Sequence, residues 1–126
     1  MREARITIVN SKRAGAQEDN SAILARAVER IELASRDRPD LILLSELFAN
    51  HPAGKTRAAA LEAAQTAPGP ISEELAALAR RHRAYIAFGL LRRAGDDLYN
   101  SLVLLDRQGR LAGTYDKVTP VDSEML

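Results

Sequence analysis

Two charged residues, Glu46 and Lys117, end strand-like segments that lie far apart in the sequence. Glu46 closes the apolar run DLILLSE at 40–46, and Lys117 follows a second strand-like run that ends in Tyr115 and Asp116. A carboxylate is costly at the end of a buried strand unless another group pairs with it or uses it. When two strand ends bring opposite charges together, each charge shifts the pKa of the other. Such shifts can bring a pKa into the range in which the group can transfer protons. Glu46 and Lys117 are therefore a candidate proton-transfer pair.

On spacing alone, each residue also has a commoner role. A strand-end carboxylate such as Glu46 more often caps the next segment or faces solvent, and Lys117 by itself is an ordinary exposed lysine. Asn100 and Ser101, in the strand-like run before Lys117, are interpreted as local hydrogen-bonding residues. His51 and His82 are far apart and lack acidic neighbours, so the sequence predicts no metal site.

The composition restricts the classes of function that the chain can have. The sequence has 126 residues, a formal net charge of +1 and no cysteine. We expect residues 1–126 to belong to a single domain, because this length is typical of one. The near-neutral charge gives no electrostatic argument for binding nucleic acid or an anionic membrane. Without cysteine, disulfides and thiolate metal sites are excluded.

The sequence shows no signal for export or membrane insertion. Residues 1–5 carry no apolar segment of the secretory type. No apolar stretch approaches the roughly 18 residues that suggest a membrane span. We therefore expect a soluble, cytoplasmic protein.

Hydrophobic patterns predict five strands and three helices. The strands are expected at 5–10, 41–45, 85–90, 98–105 and 111–115. The helices are expected at 17–35, at 56–65, and after the break at 67–70, where Ser72 is the expected N-cap. Turns are expected at Asp96 and Asp97 beside Gly95, and at 106–109.

The order β-α-β-α-α-β-β-β predicts an α/β layered fold, with parallel pairing early in the chain and hairpins late. One layer of helices covers only one face of a sheet. The alternating residues of 98–105 and 111–115 predict a second apolar face, which either further chain or a partner subunit must cover. A flavodoxin-like ligand-binding domain fits the early β-α-β units but not the late hairpins.

Four segments together resemble the nitrilase superfamily, the carbon–nitrogen hydrolases. They are RITIVN at 5–10, DLILLSELF at 40–48, YIAFGL at 85–90 and LYNSLVLLDRQGRLAGTYDKVTP at 98–120. They occur in the order and approximate spacing that the family uses. The resemblance implies a partial α-β-β-α sandwich of the carbon–nitrogen hydrolase type, truncated before the nucleophile. Residues 1–126 are then the N-terminal part of one hydrolase domain.

The resemblance also implies roles for three residues. Glu46 resembles the family's general base, which takes the proton of the nucleophile, and Lys117 resembles the lysine that stabilises the oxyanion. Glu124 resembles a second glutamate that many members place between the lysine and the nucleophile. The family nucleophile is a cysteine, which forms a thioester or thioimidate with the substrate. This sequence contains no cysteine, so the resemblance supplies no nucleophile here.

The implied reaction is hydrolysis of a non-peptide C–N bond in a small amide or nitrile, without a metal or organic cofactor. The resemblance further implies a homo-oligomer for the intact protein. From the charge balance and the lack of a long apolar stretch, we expect no nucleic-acid or membrane partner. The chain by itself is expected to be inactive, because it has no thiol. The alternative is a noncatalytic, truncated relative that acts as a binding or subunit-interaction module.

Overall fold

The computed structural model describes residues 3–10 and 18–119. Its elements follow the predicted order β-α-β-α-α-β-β-β. The strands are β1 (Ile6–Val9), β2 (Leu41–Leu44), β3 (Tyr85–Ala94), β4 (Asp97–Leu105) and β5 (Leu111–Asp116). The helices are α1 (Asn20–Ala34), α2 (Arg57–Ala63) and α3 (Pro70–His82), and a short 3-10 turn at Ser35–Asp37 follows α1.

The strands form one five-stranded sheet in the order β1-β2-β3-β4-β5. The first three strands are parallel, and β3, β4 and β5 are antiparallel neighbours. This confirms the predicted change from parallel pairing to hairpins. Because β5 returns in the same direction as β2, the carboxyl ends of both strands lie at one edge of the sheet. The topology therefore brings the segments after β2 and β5 to the same edge.

Helices α1 and α3 cover one face of the sheet. Their apolar residues repeat at helical spacing, so each helix presents one stripe to the strands. The core on this face contains mainly branched aliphatic side chains around the aromatic pair Phe48 and Phe88, among them Ile23, Ile31, Ile42, Leu75, Ile86, Leu90 and Val103. None of the helices in the described ranges is long and apolar enough to cross a bilayer.

The opposite face of the sheet carries exposed apolar side chains. Ile8 on β1 is 72% exposed and Tyr115 on β5 is 62% exposed, and Ile6 and Leu102 are also exposed. The cross-strand register places Leu102 beside Tyr115, so these residues share a face. The predicted second apolar face is therefore present, and the described residues leave it uncovered.

Two helix starts differ from the sequence prediction. Helix α1 begins at Asn20 rather than at residue 17, because the Asp19 side chain accepts a hydrogen bond from the Ser21 N–H and caps the helix there. Helix α3 begins at Pro70 with Gly69 as its N-cap, so the assignment of Ser72 as N-cap is wrong. Ser72 lies one turn inside, where its Oγ accepts the Gly69 N–H at 2.7 Å.

The β3–β4 hairpin is longer than predicted. Strand β3 continues to Ala94 and pairs with Asp97, so the turn consists of Gly95 and Asp96 rather than of both aspartates. Gly95 has a φ of +63°, which a glycine adopts without strain. A two-residue turn lets the strand ladder continue to its end. The extension brings Arg92 into the sheet, where it meets the residues described below.

Candidate active site

A tight turn after β2 positions Glu46 at the edge of the sheet. Strand β2 ends at Leu44, and Leu47 has a φ of +45°, so the chain leaves the sheet abruptly. The neighbouring strand contributes Gly89, whose N–H donates to the Ser45 carbonyl at 3.2 Å. A Cβ atom at position 89 would lie 2.5 Å from both Glu46 Cα and Leu47 N. The turn therefore packs against a backbone that only glycine leaves open.

Two asparagines hold the loop that follows Glu46. Asn50 is 2% exposed, and its amide pairs with both backbone groups of Leu91: Nδ2 donates to the carbonyl at 2.7 Å and Oδ1 accepts the N–H at 3.0 Å. Asn20, at the start of α1, pairs in the same way with the backbone of His51, at 2.8 and 3.1 Å. The loop is thus attached to β3 on one side and to α1 on the other.

Replacement of Asn50 by alanine is expected to lower the free energy of unfolding by about 2–3 kcal/mol, because a buried backbone N–H loses its acceptor. Asn20→Ala is the matched control, since it removes the same kind of bond at a less buried position, and it should cost about 1 kcal/mol. Urea unfolding followed by circular dichroism measures both values. Equal costs for the two variants would show that the burial of Asn50 does not matter.

Lys117 follows directly after β5 and lies at the same edge of the sheet as Glu46. The Lys117 N–H donates to the Asn100 carbonyl at 2.8 Å, which continues the β4–β5 pairing by one residue. The Lys117 Nζ lies 3.0 Å from Glu46 Oε1, although the two residues are 71 positions apart. The same carboxylate oxygen accepts a hydrogen bond from Asn100 Nδ2 at 2.6 Å. A carboxylate, an ammonium and an amide therefore meet at one point.

A second polar cluster lies on the other face of the same strands. The Arg92 guanidinium donates to both Asp116 carboxylate oxygens, at 3.0 and 2.8 Å, and to Ser101 Oγ at 3.1 Å. The Ser101 hydroxyl in turn donates to Asp116 at 2.5 Å, and Arg92 stacks over the Tyr99 ring. The cluster ties β3, β4 and β5 together beside Lys117 and stabilises the register that carries it.

The hydrogen bond from Ser101, followed by the bonds and charge of Arg92, holds the pKa of Asp116 below its ordinary value, against the opposing effect of burial. A carboxyl whose pKa is lower in the folded protein than the unfolded value of about 3.9 stabilises the fold above that pH. This stability is lost as the pH falls through the folded pKa.

Asp116→Asn is therefore expected to lower the free energy of unfolding by about 1 kcal/mol near pH 7. The loss is small because water screens the partly exposed carboxylate. The difference from wild type should shrink as the pH falls below about 4, where the carboxyl becomes protonated first in the unfolded chain and then, at lower pH, in the folded protein. Urea unfolding at a series of pH values checks this, with Asp97→Asn, an exposed carboxylate on β4, as control. A cost that stays constant down to pH 2 would contradict it.

Glu46 and Lys117 border a pocket of about 190 Å³ that opens on the uncovered side of the sheet. Its remaining wall is formed mainly by strand residues: Leu44, Gly89, Asn100, Ser101, Leu102 and Tyr115. The Glu46 side chain is 59% exposed and that of Lys117 is 34% exposed. Both groups are therefore accessible to a small molecule. Chemically, the carboxylate can accept a proton and the ammonium can stabilise a developing negative charge.

The structure brings together two of the three residues that the sequence proposed for the site. Glu46 and Lys117 are in contact, whereas Glu124 lies outside the described residues. Interpreting Asn100 as a local hydrogen-bonding residue missed its contact with Glu46, 54 positions away. Its position beside Lys117 in the late hairpin was the available signal. His82 contacts Glu32 at 2.8 Å, so the fold gives it an acidic neighbour, 50 positions away, that the sequence did not indicate.

No group of three or more potential metal-ligating side chains occurs among residues 3–10 and 18–119. The polar groups that meet at Glu46 Oε1 are one carboxylate, one ammonium and one amide.

Sequence comparison identifies relatives of the chain. The profile of the carbon–nitrogen hydrolase family matches residues 5–125. A bifunctional nitrilase/nitrile hydratase of Oryza sativa subsp. japonica is 28% identical over 86% of this chain and 35% of its own length. A bifunctional nitrilase/nitrile hydratase of Lupinus angustifolius, NIT4B, is 36% identical over 51% of this chain and 18% of its own length. The chain thus spans about a third or less of these relatives.

Solved structures show the same fold. An N-terminal amidase superposes with a TM-score of 0.83 at 19% identity, over 97% of this chain and 29% of the amidase. A carbon–nitrogen hydrolase from Helicobacter pylori G27 superposes with a TM-score of 0.72, also at 19% identity, over 94% of this chain and 41% of that protein. At such identities the likeness concerns the fold alone. It confirms the predicted fold class, an α/β layer pair of the carbon–nitrogen hydrolase type.

Proposed function

Because the chain belongs to the carbon–nitrogen hydrolase family, the nitrilase superfamily, we propose that Glu46 and Lys117 form part of an active site that hydrolyses a non-peptide C–N bond in a small amide or nitrile. The observation that carries this proposal is the 3.0 Å contact between their side chains at the mouth of a pocket. The two residues come from distant strands, and both remain accessible to solvent.

The proposed reaction needs a thiol from outside this sequence, which contains no cysteine. Glu46 takes the thiol proton, and the resulting thiolate attacks the carbonyl or nitrile carbon to form a carbon–sulfur bond. The negative charge that develops on the substrate oxygen or nitrogen is stabilised by the Lys117 ammonium. With an amide, the proton held by Glu46 passes to the leaving nitrogen as the C–N bond breaks. With a nitrile, it passes to the nitrogen to give a thioimidate, from which water displaces ammonia. In both cases a water molecule then cleaves the thioester to the acid, and the sulfur regains its proton.

We further propose that the chain is the N-terminal part of one hydrolase domain. Two observations support this: the chain covers 29% of the N-terminal amidase, and its second sheet face carries exposed apolar side chains. Covering that face would also narrow the pocket beside Glu46, because Tyr115 and Leu102 belong to both. For the intact protein we propose a homo-oligomer, which sedimentation measurements can test.

The deciding experiment begins with the source DNA beyond the codon for Leu126. If the reading frame continues to a cysteine, the complete product should release ammonia from propionamide or propionitrile, whereas the 126-residue chain should release none. A complete product that contains the cysteine, folds and releases no ammonia from a broad panel of amides and nitriles would contradict the proposal. Ammonia release by the 126-residue chain would contradict the requirement for a thiol. A stop codon directly after Leu126, in a transcript that is translated, would favour a noncatalytic module.

A further inference from the structure

Within the described ranges, the donors to the Glu46 carboxylate include two side chains of very different character. Lys117 contributes a charged ammonium on a long flexible stem, and Asn100 contributes a neutral amide on a short one. Both donate to Oε1, and the bond from Asn100 is the shorter, at 2.6 Å against 3.0 Å. We propose that Asn100 is a positioning residue, which fixes the orientation of the Glu46 carboxylate and favours its ionised form. As a statement about catalysis, this inference rests on the proposed function.

The exposure of the ion pair is the first argument. Glu46 is 59% exposed and Lys117 is 34% exposed, so water competes for both charges. An ion pair of this kind holds geometry weakly, because two long side chains lose rotamer freedom for a screened attraction. A donor with two side-chain torsions loses less freedom for each hydrogen bond it makes. Asn100 is therefore the better anchor for the carboxylate.

The rigidity of the backbone around Asn100 is the second argument. Asn100 lies within β4, paired with Leu91 on β3, and its carbonyl accepts the Lys117 N–H at 2.8 Å. The next residue, Ser101, is buried and bonded to Asp116 on the opposite face of the sheet. One residue thus contacts Glu46 through its side chain and Lys117 through its main chain. The distance between the two charged groups is tied to the position of β4.

If Asn100 only supported the strand, removal of its side-chain amide would leave the titration of the Glu46 carboxyl unchanged. The strand pairing of Asn100 uses backbone groups, which a substitution retains. A bond to the ionised form of a carboxylate, in contrast, lowers the pH at which that carboxylate titrates. The titration of Glu46 therefore distinguishes a positioning residue from a structural one.

The experiment follows the Glu46 side-chain carboxyl by carbon-13 NMR during acid titration of the 126-residue chain. In Asn100→Ala, the titration midpoint should rise by about 0.5–1 pH unit, because one donor to the carboxylate is lost. In Asn100→Asp, the rise should be larger, because an ionised neighbour replaces the donor. Thr114→Val is the matched control, since it removes a polar group from β5 on the opposite face of the sheet.

A midpoint in Asn100→Ala equal to that of Thr114→Val would overturn the inference. If Asn100→Ala loses its circular dichroism spectrum, an unraised midpoint in Asn100→Asp would still overturn the inference, because residue 100 would then not reach the Glu46 carboxylate. The titration requires neither a thiol nor a substrate. A raised midpoint together with an inactive complete protein would support the role of Asn100 and contradict the hydrolase proposal. An unchanged midpoint together with an active complete protein would contradict only the role of Asn100.

Discussion

Glu46→Gln in the complete hydrolase is expected to lower kcat about a thousandfold, with a much smaller effect on KM. Glutamine preserves the shape of the side chain, and its amide oxygen can still accept from Asn100 and Lys117. It cannot take a proton from a thiol, and general base catalysis is commonly worth about 10²–10⁴ in rate. The measurement is steady-state ammonia release from the best amide or nitrile substrate.

The matched control is Glu62→Gln, which makes the same chemical change on an exposed position of α2. It should leave kcat within about twofold of wild type, because surface substitutions of this kind disturb stability little. If the Glu46→Gln enzyme retains more than a tenth of the wild-type kcat, Glu46 is not the general base. The 3.0 Å contact with Lys117 would then be an ordinary ion pair.

Gly89→Ala should destabilise the protein by about 3 kcal/mol, at the upper end of the usual cost of overpacking. The new Cβ would lie 2.5 Å from Glu46 Cα and from Leu47 N, and both neighbours are backbone atoms. Backbone cannot swing aside as a flexible side chain does, so β3 and the turn after β2 must separate. The separation should also move Glu46 away from Lys117.

Gly113→Ala is the matched control, since this glycine also lies in a strand and a Cβ there would meet nothing within 4 Å. It should change the free energy of unfolding by less than about 0.5 kcal/mol. Any change should be stabilising, because alanine leaves the unfolded chain less conformational freedom than glycine. Urea unfolding compares the two variants. Similar values for both would show that the close approach at Gly89 relaxes without cost.

The order of the helices and strands was predictable from local sequence, whereas their exact ends were less so. Hydrophobic periodicity was sufficient for the order of strands and helices, and for the apolar stripe of α3, where Ile71, Leu75 and Leu78 are all buried. The ends of elements were less predictable, because a cap depends on a single side-chain bond, as at Asp19. The placement of Ser72 at the N-cap failed because Pro70 and Gly69 already provide a helix start.

By itself, the sequence determined that Glu46 and Lys117 end two strands, that helices cover one face of a sheet, and that a second face is apolar. These properties follow from residue type and spacing within short segments. Only the tertiary structure decided that β5 returns beside β4 in the register that sets Lys117 Nζ 3.0 Å from Glu46. It alone revealed the contact of Asn100 with Glu46 and the close approach of Gly89. Such contacts depend on ångström-scale placement of distant backbone segments, which the packing of the whole sheet determines and no local pattern encodes.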